Sequence, residues 1–358
     1  MTESTQRRKA ISFLPATAVL ELTYACNHAC LFCSCPWYAG AIPRRKEMGI
    51  EAWKKAISML CEHGVHDFAF TGGEPLIKRG WEDLVRHAAC CTSRKIVTED
   101  GSLVERNEAP TLFLLSNGRE MSEQVLDVCA ELKVQLSMSL PGWSAFQEHA
   151  GADTSEEDIL HWFEQAAARG IVSTVGITVT SRNIHELEET IARALLAGAD
   201  RILLNRFMPG GRGLKNRHLE LTIEQVVEML DTAESVLKRA NRFGSVGTEL
   251  PLCIYDQERY THLSVGSRCS AAKEFFVVGP SGHIRVCNHS PKELVHIDQL
   301  DTLKDHPYWQ KFVLSDYLPE VCITCHKLGH CDGGCRELAH VLTGKVDAPD
   351  PLCLRSGD

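Results

Sequence analysis

The chain has no apolar run approaching the roughly 18 residues that a membrane-spanning helix needs. Its opening, MTESTQRRKAISFLPATAVLEL, holds no signal-peptide core ahead of a cleavage site. Neither insertion into a membrane nor export is expected, and the protein is predicted to be cytoplasmic. Positive charge is scarce as well: 38 Lys and Arg face 47 Asp and Glu, a net charge of -9. Binding to nucleic acid or a membrane surface through bulk electrostatics is thereby excluded. Repeats of period about 20 to 50 residues and low-complexity tracts are missing. No glycine-rich turn continues into Gly-Lys-Ser/Thr, so there is no phosphate loop. The 16 histidines show no His-Glu-x-x-His pairing, and none is given a catalytic role.

Cysteine is what the chain has in excess. Sixteen cysteines in 358 residues without an export signal do not read as a disulfide framework, and reduced thiols in such number suggest metal. Three stand at 26, 30 and 33, seven lie between 269 and 353, and six are at 35, 61, 90, 91, 129 and 253. The first three have the spacing Cys-x3-Cys-x2-Cys. Three thiolates leave one tetrahedral position to something other than protein, unless Cys35 or His28 closes a zinc site. Zinc and iron–sulfur chemistry are both compatible with such a donor set.

From residue 17 to 245 strand-like runs alternate with amphipathic helices, as in consecutive β/α units around a parallel sheet. Strands are predicted at 18–25, 65–72, 111–118, 134–140, 172–180 and 201–207, and helices at 51–64, 81–91, 122–132, 155–170, 184–198 and 222–244. Gly64, Gly170, Gly198 and Gly244 are expected to end helices. Six units are too few to close an eight-stranded barrel, so the predicted fold is an open, partial (β/α)6 barrel with its site at the C-terminal strand ends. There, after strand two, stands Thr71-Gly72-Gly73-Glu74-Pro75. The glycine pair is expected to expose backbone groups to a ligand, and Glu74 to accept from a ligand ammonium. Residues 92–110 form a polar insertion read as a hairpin around Asp100-Gly101. Beyond residue 248 the alternation stops and cysteines and glycines take over, with a β-hairpin predicted at 275–287, turning at Pro280-Ser281-Gly282. The chain thus divides into a tail (1–16), a partial barrel (17–247) and a small cysteine-rich domain (248–358).

Together, the Cys-x3-Cys-x2-Cys after strand one and the Gly-Gly-Glu-Pro after strand two resemble the radical S-adenosylmethionine (radical SAM) superfamily over residues 17–245. The resemblance implies that Cys26, Cys30 and Cys33 hold a 4Fe-4S cluster whose fourth iron takes the amino and carboxylate groups of S-adenosyl-L-methionine (SAM). It implies that Gly72, Gly73 and Glu74 hold the methionyl end of SAM, and that Asn117, Ser139 and Arg206 line its pocket. Reductive cleavage of SAM would then give the 5′-deoxyadenosyl radical, which removes a hydrogen atom from the substrate.

The C-terminal pattern is Cys269-x12-Gly282-x4-Cys287, Cys322-x2-Cys325-x5-Cys331-x3-Cys335 and Cys353. It looks like the SPASM extension of peptide- and protein-modifying radical SAM enzymes. That resemblance implies two auxiliary 4Fe-4S clusters, three clusters in all, with Cys269, Cys287 and Cys335 on one and Cys322, Cys325, Cys331 and Cys353 on the other. The first set is one ligand short: Cys253 is the candidate to complete it, and otherwise that iron is open to substrate. Cys61, Cys129, Cys90 and Cys91 read as packing. Cys35 reads as loop packing or a neighbour of the cluster, and Phe32 and Trp37 as shields of the cluster or SAM adenine.

The expected activity is maturation of a ribosomally synthesised peptide, by backbone splicing with tyramine excision, carbon–carbon or thioether crosslinking, or epimerisation. Alternatives are formylglycine formation, synthesis of a peptide-derived cofactor and, from another class, a non-catalytic iron–sulfur electron carrier. Asn288 stands where sulfatase-maturing relatives place an aspartate base, and Ser139-Leu140-Pro141-Gly142 replaces the usual Ser-x-Asp-Gly, leaving Asp153 or Glu148 as substitutes. Only about sixteen residues precede the first strand, so a separate small protein is expected to bind the leader of the peptide substrate. A flavodoxin- or ferredoxin-type donor is expected to supply electrons.

Overall fold

A computed structural model describes residues 13–99 and 102–354. All six expected strands form, as β1 (Thr17–Glu21), β2 (Asp67–Thr71), β5 (Thr111–Ser116), β6 (Gln135–Ser139), β7 (Ser173–Val179) and β8 (Arg201–Arg206). Between β2 and β5 the polar insertion is an antiparallel pair, β3 (Ser93–Glu99) with β4 (Ser102–Glu108), and the predicted turn at positions 100–101 lies outside the described residues.

The main sheet runs further than six strands. Its order is β10-β9-β8-β7-β6-β5-β2-β1-β11-β12, where β9 is Phe243–Val246, β10 Leu263–Val265, β11 Phe275–Val278 and β12 Ile284–Arg285. Every pairing is parallel except that of β11 with β12. The C-terminal ends of β1, β2, β5, β6, β7 and β8 therefore share one rim, with Glu21 directly opposite Thr71. The predicted hairpin at 275–287 is present, and β11 is hydrogen-bonded along the outer side of β1.

The crossover helices are α1 (Ile50–Glu62), α2 (Trp81–Cys90), α3 (Glu123–Leu132), the short α4 (Phe146–Ala150), α5 (Glu156–Ala168), α6 (Leu187–Leu196) and α7 (Ile223–Ala240). Their starts are written locally: Ser155 with Asp158 and Thr222 with Gln225 form capping boxes. Val226, Leu230, Ala233, Val236 and Leu237 of α7 are buried, as their spacing predicts. Gly64, Gly170 and Gly198 follow their helices with positive φ. Gly244 does not: α7 is ended by Asn241 in the left-handed region, and Gly244 lies inside β9, opposite Ile202. An asparagine tolerates that conformation nearly as well as glycine, which is why the stop comes three residues early.

The core is continuous from the barrel into the C-terminal region, Trp53, Phe68, Phe70 and Phe163 lying in the same buried cluster as Phe276, Trp309 and Phe312. The C-terminal helices are α8 (Pro307–Val313), α9 (Glu320–Ile323) and α10 (Arg336–Thr343).

Candidate functional site

The segment after β1 and the turn after β2 continue their strands' ladder beyond both strand ends. Leu22 N–H donates to the Thr71 carbonyl (2.8 Å), Gly73 N–H to Thr23 (2.8 Å) and Glu74 N–H to Ala25 (2.9 Å). The backbones approach so closely that a Cβ on Gly73 would stand 1.9 Å from the Ala25 oxygen, and one on Gly72, at φ +141°, 2.8 Å from the Thr23 oxygen. The glycine pair is thus demanded by its contact with the chain that delivers Cys26. The structure commits the N–H of Gly73 to that contact, where the sequence reading had the pair facing a ligand.

Glu74 is also turned inward. Its carboxylate is 1% exposed and accepts from Ser116 Oγ (2.9 Å), Asn117 N–H (2.7 Å) and Leu76 N–H (3.1 Å). Burial pushes its pKa up to about 7. Where an acceptor for a ligand ammonium is expected, this carboxylate ties the turn after β2 to the end of β5. Asn117, fixed by it, extends Nδ2 to Asn27 Oδ1 (2.8 Å) and to the Cys26 sulfur (3.7 Å).

Two further elements hold the cysteine loop. Beside α4, Ala29 and Leu31 donate N–H groups to the carbonyls of Ala150 and His149, at 3.0 and 3.1 Å. After β8, Gly213 N–H reaches the Cys33 carbonyl (3.2 Å) and Asn216 Nδ2 the Leu31 carbonyl (3.0 Å). Cys26, Cys30 and Cys33 are partly exposed on this braced loop. Burial, then the proximity of Cys33 and Cys26, pushes the Cys30 thiol up to about 12. A hydrogen bond with Cys35 draws Cys33 down to about 7. The Arg212 guanidinium, 3.6 Å above the Tyr38 ring, favours the thiolates of Cys30 and Cys33. Among the described residues no three His, Cys, Asp or Glu side chains close around a single metal ion. What unites these three is mutual electrostatic influence and a thiolate chemistry suited to iron–sulfur clusters. His28, weighed above as a zinc ligand, is buried, and burial lowers its pKa to about 4. Cys35 also lies 4.0 Å from the Gly72 carbonyl. Trp37 is buried edge-on to Tyr24, and Phe32 meets His149.

The remaining rim residues divide. Ser139 is exposed at the end of β6. Arg206, expected in the SAM pocket, is engaged by the C-terminal region in this structure. Its guanidinium is buried in a two-pronged ion pair with Asp350, Nη1 to Oδ1 at 3.0 Å, and Asp350 also accepts from the Cys335 and Leu352 N–H groups at 2.8 and 2.9 Å. A buried guanidinium left without such an acid is costly, so the paired arginine acts as a strut from β8 to the C-terminal cysteines. Glu148 pairs with Arg182 at the surface and Asp153 is exposed. The loop after β6 is held by Glu186, which accepts from the N–H groups of Trp143 (2.9 Å) and Ser144 (2.8 Å) and from Ser144 Oγ (2.6 Å).

In the C-terminal region Cys269, Cys287 and Cys335 are buried, and their charges act on one another. Cys322, Cys331 and Cys353 form a second group by the same measure, and Cys325 N–H bonds back to the Cys322 carbonyl at 3.0 Å. Cys253, expected to complete the first set, sits instead against Cys353, with which it shares a hydrogen bond. The reason is local: Leu252 N–H is anchored on the Cys331 sulfur at 3.4 Å. Cys61 and Cys129 are buried on helices, whereas Cys90 is exposed.

A buried pair between the two cysteine regions escaped the sequence reading. Glu21, at the end of β1, is bonded to Arg285 of β12, which also donates to the carbonyls of Asn288 and Ser290 at 3.0 Å each. Its one sequence signal is a lone arginine in the apolar hairpin, two residues before Cys287.

Residues 20–194 match the model of the Radical SAM superfamily. Over these residues the chain carries a radical SAM domain, and the protein is a radical SAM enzyme. Among curated proteins, the PqqA peptide cyclase of Xanthomonas campestris pv. campestris is 27% identical over 351 residues, covering 96% of this chain and 87% of the relative. That of Bradyrhizobium diazoefficiens is 25% identical over 369 residues, covering 98% and 89%. Among solved structures, Streptococcus suis SuiB bound to S-adenosylmethionine superposes with a TM-score of 0.72 at 14% identity, over 98% of this chain and 80% of SuiB. anSMEcpe with bound AdoMet and Cp18Cys peptide gives 0.71 at 18%, over 95% and 94%. These likenesses bear out the α/β fold class.

Proposed function

We propose that this enzyme is a maturase of a ribosomally synthesised peptide, with a SAM-binding 4Fe-4S cluster on Cys26, Cys30 and Cys33 and two auxiliary clusters in a C-terminal SPASM domain. One observation carries the reading: the ladder between β1 and β2 runs on past the rim and fixes the three-thiol loop against Gly72-Gly73-Glu74. Full-length likeness to relatives named PqqA peptide cyclase, and fold likeness to SuiB, which has been solved with its precursor peptide SuiA, support a peptide substrate. When bound, the cluster supplies the electron that splits SAM into methionine and a 5′-deoxyadenosyl radical, which takes a hydrogen atom from the substrate.

This chain's residues brace the thiolates, and Asn117 donates toward the Cys26 sulfur. Arg212 offsets negative charge at Cys30 and Cys33. The cyclase name of the relatives supports crosslinking, carbon–carbon or thioether, over splicing, epimerisation or formylglycine formation. Asn288 offers no carboxylate base, and its carbonyl is engaged by Arg285. A separate small protein presents the leader, and a flavodoxin- or ferredoxin-type protein supplies electrons.

The test is co-expression with a precursor peptide encoded nearby, read by mass spectrometry with and without the presenting protein. A product lighter by two hydrogens, together with 5′-deoxyadenosine formed from SAM and dithionite, is expected. An unmodified peptide, from enzyme that leaves SAM intact after reconstitution with iron and sulfide, would refute the proposal.

A further inference from the structure

The stretch between β6 and α4, Leu140-Pro141-Gly142-Trp143-Ser144-Ala145, contains no acid of its own. Its carboxylate comes from Glu186, the residue before α6. Glu186 is buried. Its Oε1 accepts from Trp143 N–H at 2.9 Å, and its Oε2 from Ser144 N–H at 2.8 Å and Ser144 Oγ at 2.6 Å. Gly142, at φ +142°, makes room for this approach, since a Cβ there would stand 2.4 Å from Oε1. Burial alone would raise the Glu186 carboxyl, but the donors of Ser144, Trp143 and Ala145 outweigh it and hold the group below its ordinary value, so it is ionised at neutral pH. The two nearby acids that the sequence offered do not serve the loop: Glu148 pairs with Arg182 and Asp153 is exposed.

What Glu186 grips leads directly to the cysteines. Ser144 stands two residues before α4, a helix of only 5 residues, whose last two carbonyls face the cysteine loop. His149 accepts the Leu31 N–H at 3.1 Å and Ala150 the Ala29 N–H at 3.0 Å. Gly151, next in the chain, lies so near that a Cβ there would be 3.1 Å from the Ala29 oxygen. Ala29 and Leu31 flank Cys30. Burial of Phe146 and Ala150 keeps α4 on the core, but apolar contact is non-directional and does not by itself fix where the carbonyls point. A carboxylate with charge-assisted hydrogen bonds at the entry to the helix does.

We propose that Glu186 is a positioning residue for the three-cysteine loop, acting through α4. The inference deepens the reading that Cys26, Cys30 and Cys33 hold the SAM-binding cluster and rests on it: the carboxylate sets the loop in which the thiols must converge, without touching SAM or iron itself.

The experiment measures amide hydrogen exchange at residues 27–33 in the reconstituted full-length protein and its variants, with iron release to a chelator followed beside it. E186Q fills the same volume but keeps one acceptor oxygen of the two. In it the Ala29 and Leu31 amides should exchange about tenfold faster, while amides of β2 and β5 keep the parent's rates and iron leaves sooner. E186A should exchange faster still, and if it does not fold, E186Q decides alone. D153A should match the parent. Unchanged exchange at Ala29 and Leu31 in E186Q overturns the proposal. So does an acceleration spread equally over β2 and β5, which marks a residue of general stability, or an equal acceleration in D153A. The cluster reading is judged separately: it fails if C26A does not lower the iron content by about four, and the exchange comparison then still decides whether Glu186 holds the loop.

Discussion

The two cysteine regions solve opposite problems. Cys26, Cys30 and Cys33 lie partly exposed on a loop at the strand-end rim, whereas Cys269, Cys287, Cys322, Cys335 and Cys353 are buried. The first loop is held by backbone hydrogen bonds from the turn after β2, from the α4 segment and from the segment after β8, with Glu47 and Arg119 gripping it from its more exposed side. The second region is pinned by buried charges: Arg206 with Asp350 across to β8, and Arg285 with Glu21 across to β1. A centre that must admit SAM and a substrate hydrogen is left open on one side and braced from behind. The C-terminal cysteines lie mostly inside, with Cys325 and Cys331 partly exposed, and charge buried beside them has to be paired.

Breaking each side of this contrast should give different losses. The largest is expected from Cys26→Ala, which should cut 5′-deoxyadenosine formation below detection and remove about four irons while leaving the rest. Iron analysis beside the activity assay checks both. Next, Arg206→Met strands Asp350 as an uncompensated buried charge, at a cost of about 3–5 kcal/mol. The denaturation midpoint of the reconstituted protein should fall, with iron lost first from the C-terminal region.

A slightly smaller effect belongs to Glu74. Its folded pKa of about 7 lies above the ordinary 4.5, so the folded state binds more protons between those values. The associated stability is present below about pH 4.5, declines as pH rises and is gone above about pH 7, a span on the order of 3 kcal/mol. Glu74→Gln should flatten that slope in melting curves taken across the window, and an unchanged slope would show that another group sets it. Smallest is Gly73→Ala. The new methyl must push Ala25 away, costing about 1–3 kcal/mol, and the displaced loop should retain iron less well in a chelator challenge while the C-terminal irons stay.

Local pattern made much of this legible in advance. The six rim strands and their helices are long and periodic, and the cysteine spacings are short-range facts about the chain. What the pattern could not reveal depends on partners far away in sequence. β9 and β10 have four and three residues, too few for alternation to stand out, and they qualify as strands because β8 offers an edge to β9 and β9 one to β10. Arg206 has a strand-end position suited to a ligand, yet its partner lies at 350, in another region of the chain. The donors to Glu74 at Ser116 and Asn117 were not legible, because nothing near it in sequence announces them. The closeness of Cys253 to Cys353 was not legible either, since a thiol's neighbours are chosen by packing, while counting cysteines sees only order.

The pairing of β11 with β1 sets a schedule for synthesis. The strand that carries the first cysteine loop is made at the start, yet one of its two neighbours does not exist until the ribosome reaches residue 275. Throughout that interval one flank of β1 presents unpaired N–H and carbonyl groups, a template for wrong partners. Growth conditions that slow elongation, or truncation ahead of Phe275, should therefore favour aggregation over a soluble half-enzyme. The C-terminal hairpin thus has a second task, as the late-arriving guard of the strand on which the first cysteines hang.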